Sequence, residues 1–229
     1  MRRALLLPFV AGITVVALVV GTFALVSAWS AGSRGIDPAV ARTMSLSSRI
    51  DGNRKAPDFT LSDEHGRTVS LASHRGKATV LTFLDPHCTD ICPIISAEFV
   101  RADRLLGPDR DRVAIVSINV NPYATSTADV LAYDREHQLP GLENFSFLTG
   151  TAATLAHVWK DYGVFVQAPD PTAEVVHTSV TYFLDPTGVV RYVAMPNVDH
   201  RSDGTAYLPQ GSIDTWATGI AQVSRSLLG

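Results

Sequence analysis

The pattern of apolar and polar positions divides the chain into three unlike parts. Residues 5–29 are almost all apolar, and no charged residue occurs between positions 4 and 33. Residues 30–56 contain mainly Ser, Gly, Arg and Ala with little hydrophobic periodicity. Residues 57–229 alternate between short apolar runs and segments of helical period, which is typical of a folded domain with its own core.

The first half of the third part predicts a hairpin followed by a βαβ unit. Apolar residues flank a turn at 63–66, and the run ATVLTFL at Ala78–Leu84 has the composition of a buried central strand. A helix is predicted to open at Pro93 and to end at Gly107, where helical spacing of apolar residues stops. The run VAIVSINV at 113–120 predicts the next buried strand.

The second half predicts an inserted αβα segment and then a ββα ending. The predicted elements are a helix at 126–138, a strand at Phe145–Leu148, a helix at 151–162, strands at 180–184 and 189–194 around the turn DPTG, and a helix at 212–228. A βαβ unit and a ββα unit on one mixed sheet, with a right-handed crossover, form the thioredoxin-type arrangement. We therefore predict an α/β fold: a thioredoxin-like, redoxin-type mixed sheet flanked by helices and preceded by one transmembrane helix.

The apolar segment predicts a membrane anchor. About 20 apolar residues cross the hydrocarbon core of a bilayer, and residues 5–29 suffice for that. The alternative is a cleaved signal peptide with a small-residue site at 26–28. Because the run exceeds the roughly 7–15 apolar residues of a signal peptide, we favour an uncleaved anchor. No cysteine lies at its end, which argues against a lipoprotein.

The expected domain organisation is an anchor at 1–29, a flexible stem at 30–55 and a globular domain at 56–229. Arg2 and Arg3 precede the anchor, while Arg34, Arg42 and Arg49 follow it. A short basic segment ahead of the first apolar helix favours a retained N-terminus, and long domains translocate largely regardless of charge. We expect a single-pass protein of the cell membrane with its soluble domain on the extracytoplasmic side.

Composition excludes several classes of function. The formal net charge is −3, and residues 57–229 contain 12 basic against 20 acidic residues. An acidic domain of this kind is a poor partner for a phosphate backbone, so nucleic acid is excluded. With only two cysteines the chain is neither a disulfide-stapled miniature fold nor a carrier of a four-cysteine zinc site.

Both cysteines lie in the stretch FLDPHCTDICP, directly after the first central strand. Open α/β sheets place their sites at this edge. Because proline prefers the first helical position, we expect Cys92 to cap the helix and Cys88 to lie in the loop before it. The helix N-terminus and a protonated His87 favour thiolates there, whereas Asp90 opposes them.

Two converging cysteines leave three interpretations open: a soft-metal site, a redox-active pair or a static disulfide. His177 precedes the strand at 180–184, which should lie beside the first central strand. Thioredoxin-like oxidoreductases usually carry a cis-proline in this region, but the residues are His-Thr-Ser. That difference favours a metal ligand. Two Cys and one His suit Cu(I) and tolerate Cu(II), while zinc would need a fourth ligand.

The motif HCTDICP with the downstream stretch VVHTSVTYFLDPTG resembles the Sco/SenC proteins, which are membrane-anchored, thioredoxin-like copper chaperones. The resemblance implies copper, Cu(I) or Cu(II), as the metal, with Cys88, Cys92 and His177 as its ligands and Asp90 as the middle residue of the motif. It also implies the copper-site subunit II of cytochrome c oxidase as client, with a thiol–disulfide reductant or another copper chaperone as further partner. Asp85-Pro86 departs from the small or hydroxyl residues of many relatives.

The function expected from the resemblance is that of a metallochaperone that delivers copper to, or matures, the dinuclear copper site of a respiratory oxidase. The alternative is a thiol–disulfide oxidoreductase, with Cys88 and Cys92 as its redox-active pair, that keeps the client's cysteines reduced. A stalked structural module is the third class. Only the oxidoreductase would be an enzyme, since copper delivery is an exchange between sites.

Overall fold

The computed structural model describes residues 35–196, 199–200, 206–207 and 211–229. Its helices are α1 (Pro38–Thr43), α2 (Ile91–Leu106), α3 (Thr127–Glu136), α4 (Ala152–Asp161) and α5 (Ser212–Ser226). Its strands are β1 (Thr60–Ser62), β2 (Thr68–Ser70), β3 (Ala78–Leu84), β4 (Val113–Asn119), β5 (Phe145–Leu148), β6 (Val166–Gln167), β7 (Val176–His177), β8 (Thr181–Leu184), β9 (Val190–Ala194), β10 (Asp199–His200) and β11 (Ala206–Tyr207).

A five-stranded mixed sheet with the order β5-β4-β3-β8-β9 forms the centre of the domain. Strands β3, β4 and β5 are parallel, whereas β8 runs antiparallel to both β3 and β9. Every residue of β3 and β4 is buried, as expected for strands covered on both faces. The predicted mixed sheet flanked by helices is thus confirmed.

Helices cover both faces of this sheet. On one face, α2, α3 and α5 bury a cluster around Phe99, Tyr133 and Ile220, and Cys92 belongs to the same cluster. On the other face, α4 and the β1–β2 hairpin bury a second cluster that includes Leu61 and Trp159. The first central strand, β3, therefore lies between two apolar layers, and it ends at the sheet edge where α2 begins.

The boundaries of most predicted elements, including the start of α2, are confirmed to within two residues, but the predicted capping residue of α2 is not. The helix begins at Ile91, and Asp90 is its N-cap, with Oδ1 accepting a hydrogen bond from Ile91 N. Cys92 lies in the first turn, so the prediction that Cys92 caps the helix is wrong. Pro93 is tolerated there because the first four N–H groups of a helix have no intrahelical partner.

The short hairpin formed by β6 and β7 has no counterpart in the prediction. Val166 pairs with His177, and Gln167 pairs with Val176. Strands of two residues show no measurable alternation of apolar and polar positions, so the sequence pattern gives no signal for them. This hairpin matters for the site, since it carries His177.

The described part of the predicted stem is packed against the domain. Val40 and Met44 lie four residues apart at α1 and are buried against α5. The backbone then runs along β9, where Ser47 N donates to Val193 O at 2.8 Å and Ile50 N donates to Arg191 O at 2.8 Å. The expectation of a flexible stem up to residue 55 is therefore corrected: one helical turn of apolar residues is too short to stand out in a Ser- and Arg-rich segment.

The predicted anchor at 1–29 lies outside the described residues. Within the described ranges, no helix is long and apolar enough to cross a membrane.

Candidate functional site

The loop between β3 and α2 carries the first cysteine. Cys88 is half-buried in this loop, as predicted, whereas Cys92 is completely buried under it in the first turn of α2. Neither cysteine is in a disulfide. The site is thus present as two reduced thiols, one facing solvent and one facing the core.

The two sulfurs are linked through the start of the helix. Cys92 N donates a hydrogen bond of 3.3 Å to Cys88 Sγ, and the Cys88 thiol donates one of 3.0 Å to Asp90 Oδ1. A side-chain hydrogen bond with Cys88, together with burial, raises the pKa of the Cys92 thiol well above its usual range. Because Cys88 Sγ accepts the bond from Cys92 N, in the first turn of α2, it lies at the positive end of the helix dipole.

His177 faces the same region from the β6–β7 hairpin. Its Nδ1 lies 3.2 Å from Thr178 O, and a carbonyl oxygen can only accept, so Nδ1 carries the proton. Nε2 therefore presents a lone pair. Burial lowers the pKa of His177, partly opposed by the hydrogen bond to Thr178 and by nearby Asp85 and Asp90. The neutral ring is the form that binds metals.

Cys88 and His177 line one cleft of about 580 Å³. The residues that share this lining are Asp85, His87, Cys88, Thr89, Asp90, Ile91, Asn121, Pro171, Thr172, Ala173, Glu174, Val175, Val176, His177 and Ser179. Its carboxylates are those of Asp85, Asp90 and Glu174, and neither lysine nor arginine is among these described residues. The cleft therefore favours cations.

The chemistry of the donors fits copper, although the described residues include no group of three or more His, Cys, Asp or Glu placed to hold a metal ion. Two sulfur atoms and an imidazole nitrogen are soft to borderline donors, which suit Cu(I). Cys88 and His177 share the cleft, and Cys92 is joined to Cys88 by the hydrogen bond described above. Two of the three candidate ligands thus share the cleft and the third is hydrogen-bonded to Cys88, but in this conformation they do not form a coordination shell.

Apolar side chains stand exposed beside the cleft. Phe165 is 59% and Val176 56% exposed, and both belong to the β6–β7 region next to His177. Tyr123, 48% exposed, donates from its hydroxyl to Ala168 O in the segment that follows β6. Large apolar side chains that surround a polar cleft are typical of a surface that meets another protein.

Asp85 and Asn121 were not among the predicted site residues, yet both line the cleft. Each follows the carboxyl end of a neighbouring parallel strand, Asp85 after β3 and Asn121 after β4. That position is the signal in the sequence that could have identified them, because side chains there meet at one edge of the sheet.

Comparison with known proteins identifies the family to which this chain belongs. The SCO1/SenC family model matches residues 47–203. The SCO1 protein homolog of Bacillus subtilis is 26% identical over 140 residues, which cover 60% of this chain and 72% of that protein. The mitochondrial SCO2 homolog of Mus musculus is 33% identical over 138 residues, 58% of this chain and 52% of that protein. The match thus spans about half the length of the mitochondrial relative.

Solved structures share the fold. Bradyrhizobium japonicum ScoI with copper bound superposes with a TM-score of 0.56 at 24% identity, covering 72% of this chain and 97% of that one. BsSco, described as a member of the Sco family of cytochrome c oxidase assembly proteins with a disulfide switch, has a TM-score of 0.54 at 23% identity. The match covers 74% of this chain and 94% of the BsSco chain. The thioredoxin-like fold predicted from the sequence is confirmed.

Proposed function

The chain belongs to the SCO1/SenC family, and from that premise we propose that it is a copper metallochaperone. Copper is held by Cys88, Cys92 and His177 and is delivered to the dinuclear copper site of a respiratory cytochrome c oxidase. One observation carries the proposal: Cys88 and His177 line the same acidic cleft, with Cys92 hydrogen-bonded to Cys88. The copper-bound state of the ScoI relative supports the choice of metal.

Copper is cargo in this proposal, so the residues must both bind and release it. Binding requires loss of the thiol protons of Cys88 and Cys92, because the thiolate is the ligand. His177 contributes the Nε2 lone pair without losing a proton, since its Nδ1 already donates to Thr178 O. Release is a stepwise exchange in which cysteine and histidine ligands of the acceptor replace these three.

The exposed surface beside the cleft suits transfer between proteins. Phe165 and Val176 offer apolar contact area close to His177, while Glu174 and Asp90 give the cleft its negative charge. Cytochrome c oxidase subunit II is the proposed acceptor, and a thiol reductant or a second copper chaperone is the proposed donor-side partner. A single-pass anchor at 1–29 would hold this exchange at the extracytoplasmic face of the cell membrane.

A copper titration of the reduced full chain, with Cu(I) and with Cu(II), tests the proposal. We expect one copper per chain and a thiolate-to-copper absorption band that is weakened or lost in His177→Ala. His157→Ala is the matched control, because His157 is exposed on α4 and absent from the cleft lining. Failure of the wild-type chain to bind copper tightly would contradict the proposal.

A thiol–disulfide oxidoreductase is the second candidate function, supported by the hydrogen bond between Cys92 N and Cys88 Sγ. Oxidation of both thiols to a disulfide would release two protons and two electrons, which a client disulfide would take up as it becomes two thiols. The disulfide switch described for BsSco supports this alternative. His177→Ala distinguishes the candidates, since it should weaken copper binding and leave disulfide exchange largely intact.

A further inference from the structure

We propose that Asp85 and Asn121 are positioning residues that hold the Cys88 loop in the conformation that receives copper. The inference rests on the proposed function and adds a device to it: a hydrogen-bonded side-chain pair that ties the loop to the end of β4. Neither residue is one of the predicted ligands. Both lie in the lining of the cleft, and both are buried, with exposed fractions of 5% and 6%.

The carboxylate of Asp85 organises the residues immediately before Cys88. Its Oδ1 accepts a hydrogen bond of 2.8 Å from His87 N, and its backbone carbonyl accepts one of 3.1 Å from Cys88 N. Pro86, between them, has a fixed φ, which limits the backbone further. Residues 85–88 therefore form a closed turn that sets the position of Cys88.

Asn121 ties that turn to the sheet. Its Nδ2 donates a hydrogen bond of 2.9 Å to Asp85 Oδ1. Its Oδ1 accepts from Tyr123 N at 2.9 Å and from Ala124 N at 3.1 Å. Because backbone N–H groups can only donate, the amide oxygen must face them, and the amide nitrogen must face Asp85.

The other end of this connection is anchored in the core. Asn119, the completely buried last residue of β4, accepts through Oδ1 from Asn121 N at 2.7 Å. Its Nδ2 donates to Thr149 Oγ1, and its carbonyl accepts from Trp159 Nε1 at 2.8 Å. The Cys88 loop is thus connected through Asp85 and Asn121 to a fixed point of the sheet.

Such a connection bears on copper affinity because a binding loop that must be ordered on binding loses affinity. Asp85 also lies close enough to act electrostatically on His177 and Cys92. Charge and positioning are therefore two separate ways in which the carboxylate could contribute. A variant that removes the charge of Asp85 but keeps its hydrogen-bond acceptor distinguishes the two contributions.

Alkylation of Cys88 in the reduced, metal-free full chain, followed by peptide mapping, measures the loop directly. In Asp85→Ala and in Asn121→Ala we expect severalfold faster alkylation and copper affinity reduced about tenfold, the effect of losing one structured hydrogen bond. Asp85→Asn retains an oxygen acceptor without charge, so it should stay close to wild type. The double alanine variant should lose no more than either single one, because the two residues act as a unit.

Asp185→Ala is the matched control. Asp185-Pro186-Thr187 repeats the turn, with Asp185 Oδ1 accepting from Thr187 N at 2.9 Å, but it connects β8 to β9 and is absent from the cleft lining. It should lower stability while leaving Cys88 alkylation unchanged. If Asp85→Ala leaves alkylation and affinity at wild-type values, or if Asp85→Asn loses as much affinity as Asp85→Ala, the positioning role is refuted. A wild-type chain that binds no copper would refute the proposed function, and alkylation would still decide the positioning role.

Discussion

Cys92 N donates a hydrogen bond to Cys88 Sγ across 3.3 Å, so the sulfur of one cysteine lies at the positive end of the helix whose first turn buries the other. The two thiols of the motif are therefore not equivalent. Cys88 faces the cleft that also contains His177, and Cys92 faces the core. A partner that enters the cleft meets Cys88 first.

This asymmetry predicts unequal reactivity of the two thiols. We expect the lone Cys88 of Cys92→Ser to be alkylated at least about tenfold faster, near neutral pH, than the lone Cys92 of Cys88→Ser, because the thiolate is the nucleophile. Cys88→Ser removes the Cys88 contribution to the raised pKa of Cys92, but burial remains. Both rates should become equal in concentrated guanidinium chloride, and equal rates in the folded chain would contradict the asymmetry.

The sequence pattern predicted the sheet well because its central strands, β3 and β4, are completely buried and mostly apolar. The predicted limits of β3 and β5 agree with the structure at Ala78–Leu84 and Phe145–Leu148. The same topology argument placed His177 near the cysteines, and the shared cleft of His177 and Cys88 agrees with it. Copper ligation by these residues remains a prediction.

What the pattern could not predict depends on single contacts. Met44 is buried in a space that exists because Gly219 of α5 has no side chain. The hydrophobic periodicity of the segment around α1 does not predict this contact. The β6–β7 hairpin is held partly by the Thr178 side chain, whose Oγ1 accepts from Phe165 N at 3.1 Å. The position of Asn121 after a central strand marks it as a candidate site residue, but its hydrogen bond to Asp85 is visible only in the structure.

The half-buried Asp185, at the turn between β8 and β9, should contribute to stability against acid. Burial alone would raise the pKa of Asp185, but hydrogen bonds from Thr187, Val189 and Arg191 outweigh it and lower the pKa. A carboxylate with a depressed folded-state pKa stabilises the protein above about pH 4, and that contribution disappears as the pH falls through the folded-state value.

Asp185→Ala should therefore lower the free energy of unfolding by about 1–3 kcal/mol near neutral pH, since Arg191 loses its partner at 2.7 Å. Urea unfolding at about pH 7 and about pH 3 measures this. The difference between variant and wild type should shrink at the lower pH. A difference that stays constant would mean that the charge of Asp185 contributes nothing.

For Asp134 we expect the opposite dependence of stability on pH. It is 2% exposed on α3, and burial, with a smaller contribution from Glu64, raises its pKa to about 8. Since its unfolded-state pKa is about 4, Asp134 in the folded chain retains its proton between these values, and its contribution to stability falls as the pH rises from about 4 to about 8. The slope is at most about 1.4 kcal/mol per pH unit.

Asp134→Asn removes this titration, so its free energy of unfolding should change less between about pH 5 and about pH 8 than that of the wild type. Asp170→Asn is a suitable control. A hydrogen bond from the Thr172 side chain lowers the pKa of Asp170, so its contribution lies below this range. Parallel profiles of Asp134→Asn and wild type would show that Asp134 is ionised in the folded chain at neutral pH.

The last prediction concerns the contact between α1 and α5. A methyl group on Gly219 would overlap the Met44 sulfur and lie 2.8 Å from Val40 Cγ1. Overpacking of this kind costs about 1–3 kcal/mol, whereas replacing a helical glycine by alanine gains about 1 kcal/mol. Because Met44 is completely buried and has little room to move, the cost should exceed the gain, and Gly219→Ala should destabilise the protein.

A double-mutant cycle with Met44→Ala identifies the cause. Met44→Ala alone should destabilise by about 2 kcal/mol or more through the cavity it leaves. In that background Gly219→Ala no longer meets the sulfur and only the contact with Val40 remains, so it should destabilise less than in the wild type, as measured by urea unfolding. Equal effects of Gly219→Ala in both backgrounds would place the cost elsewhere in α5 and would refute the contact with Met44 as the reason why this helix has a glycine at position 219.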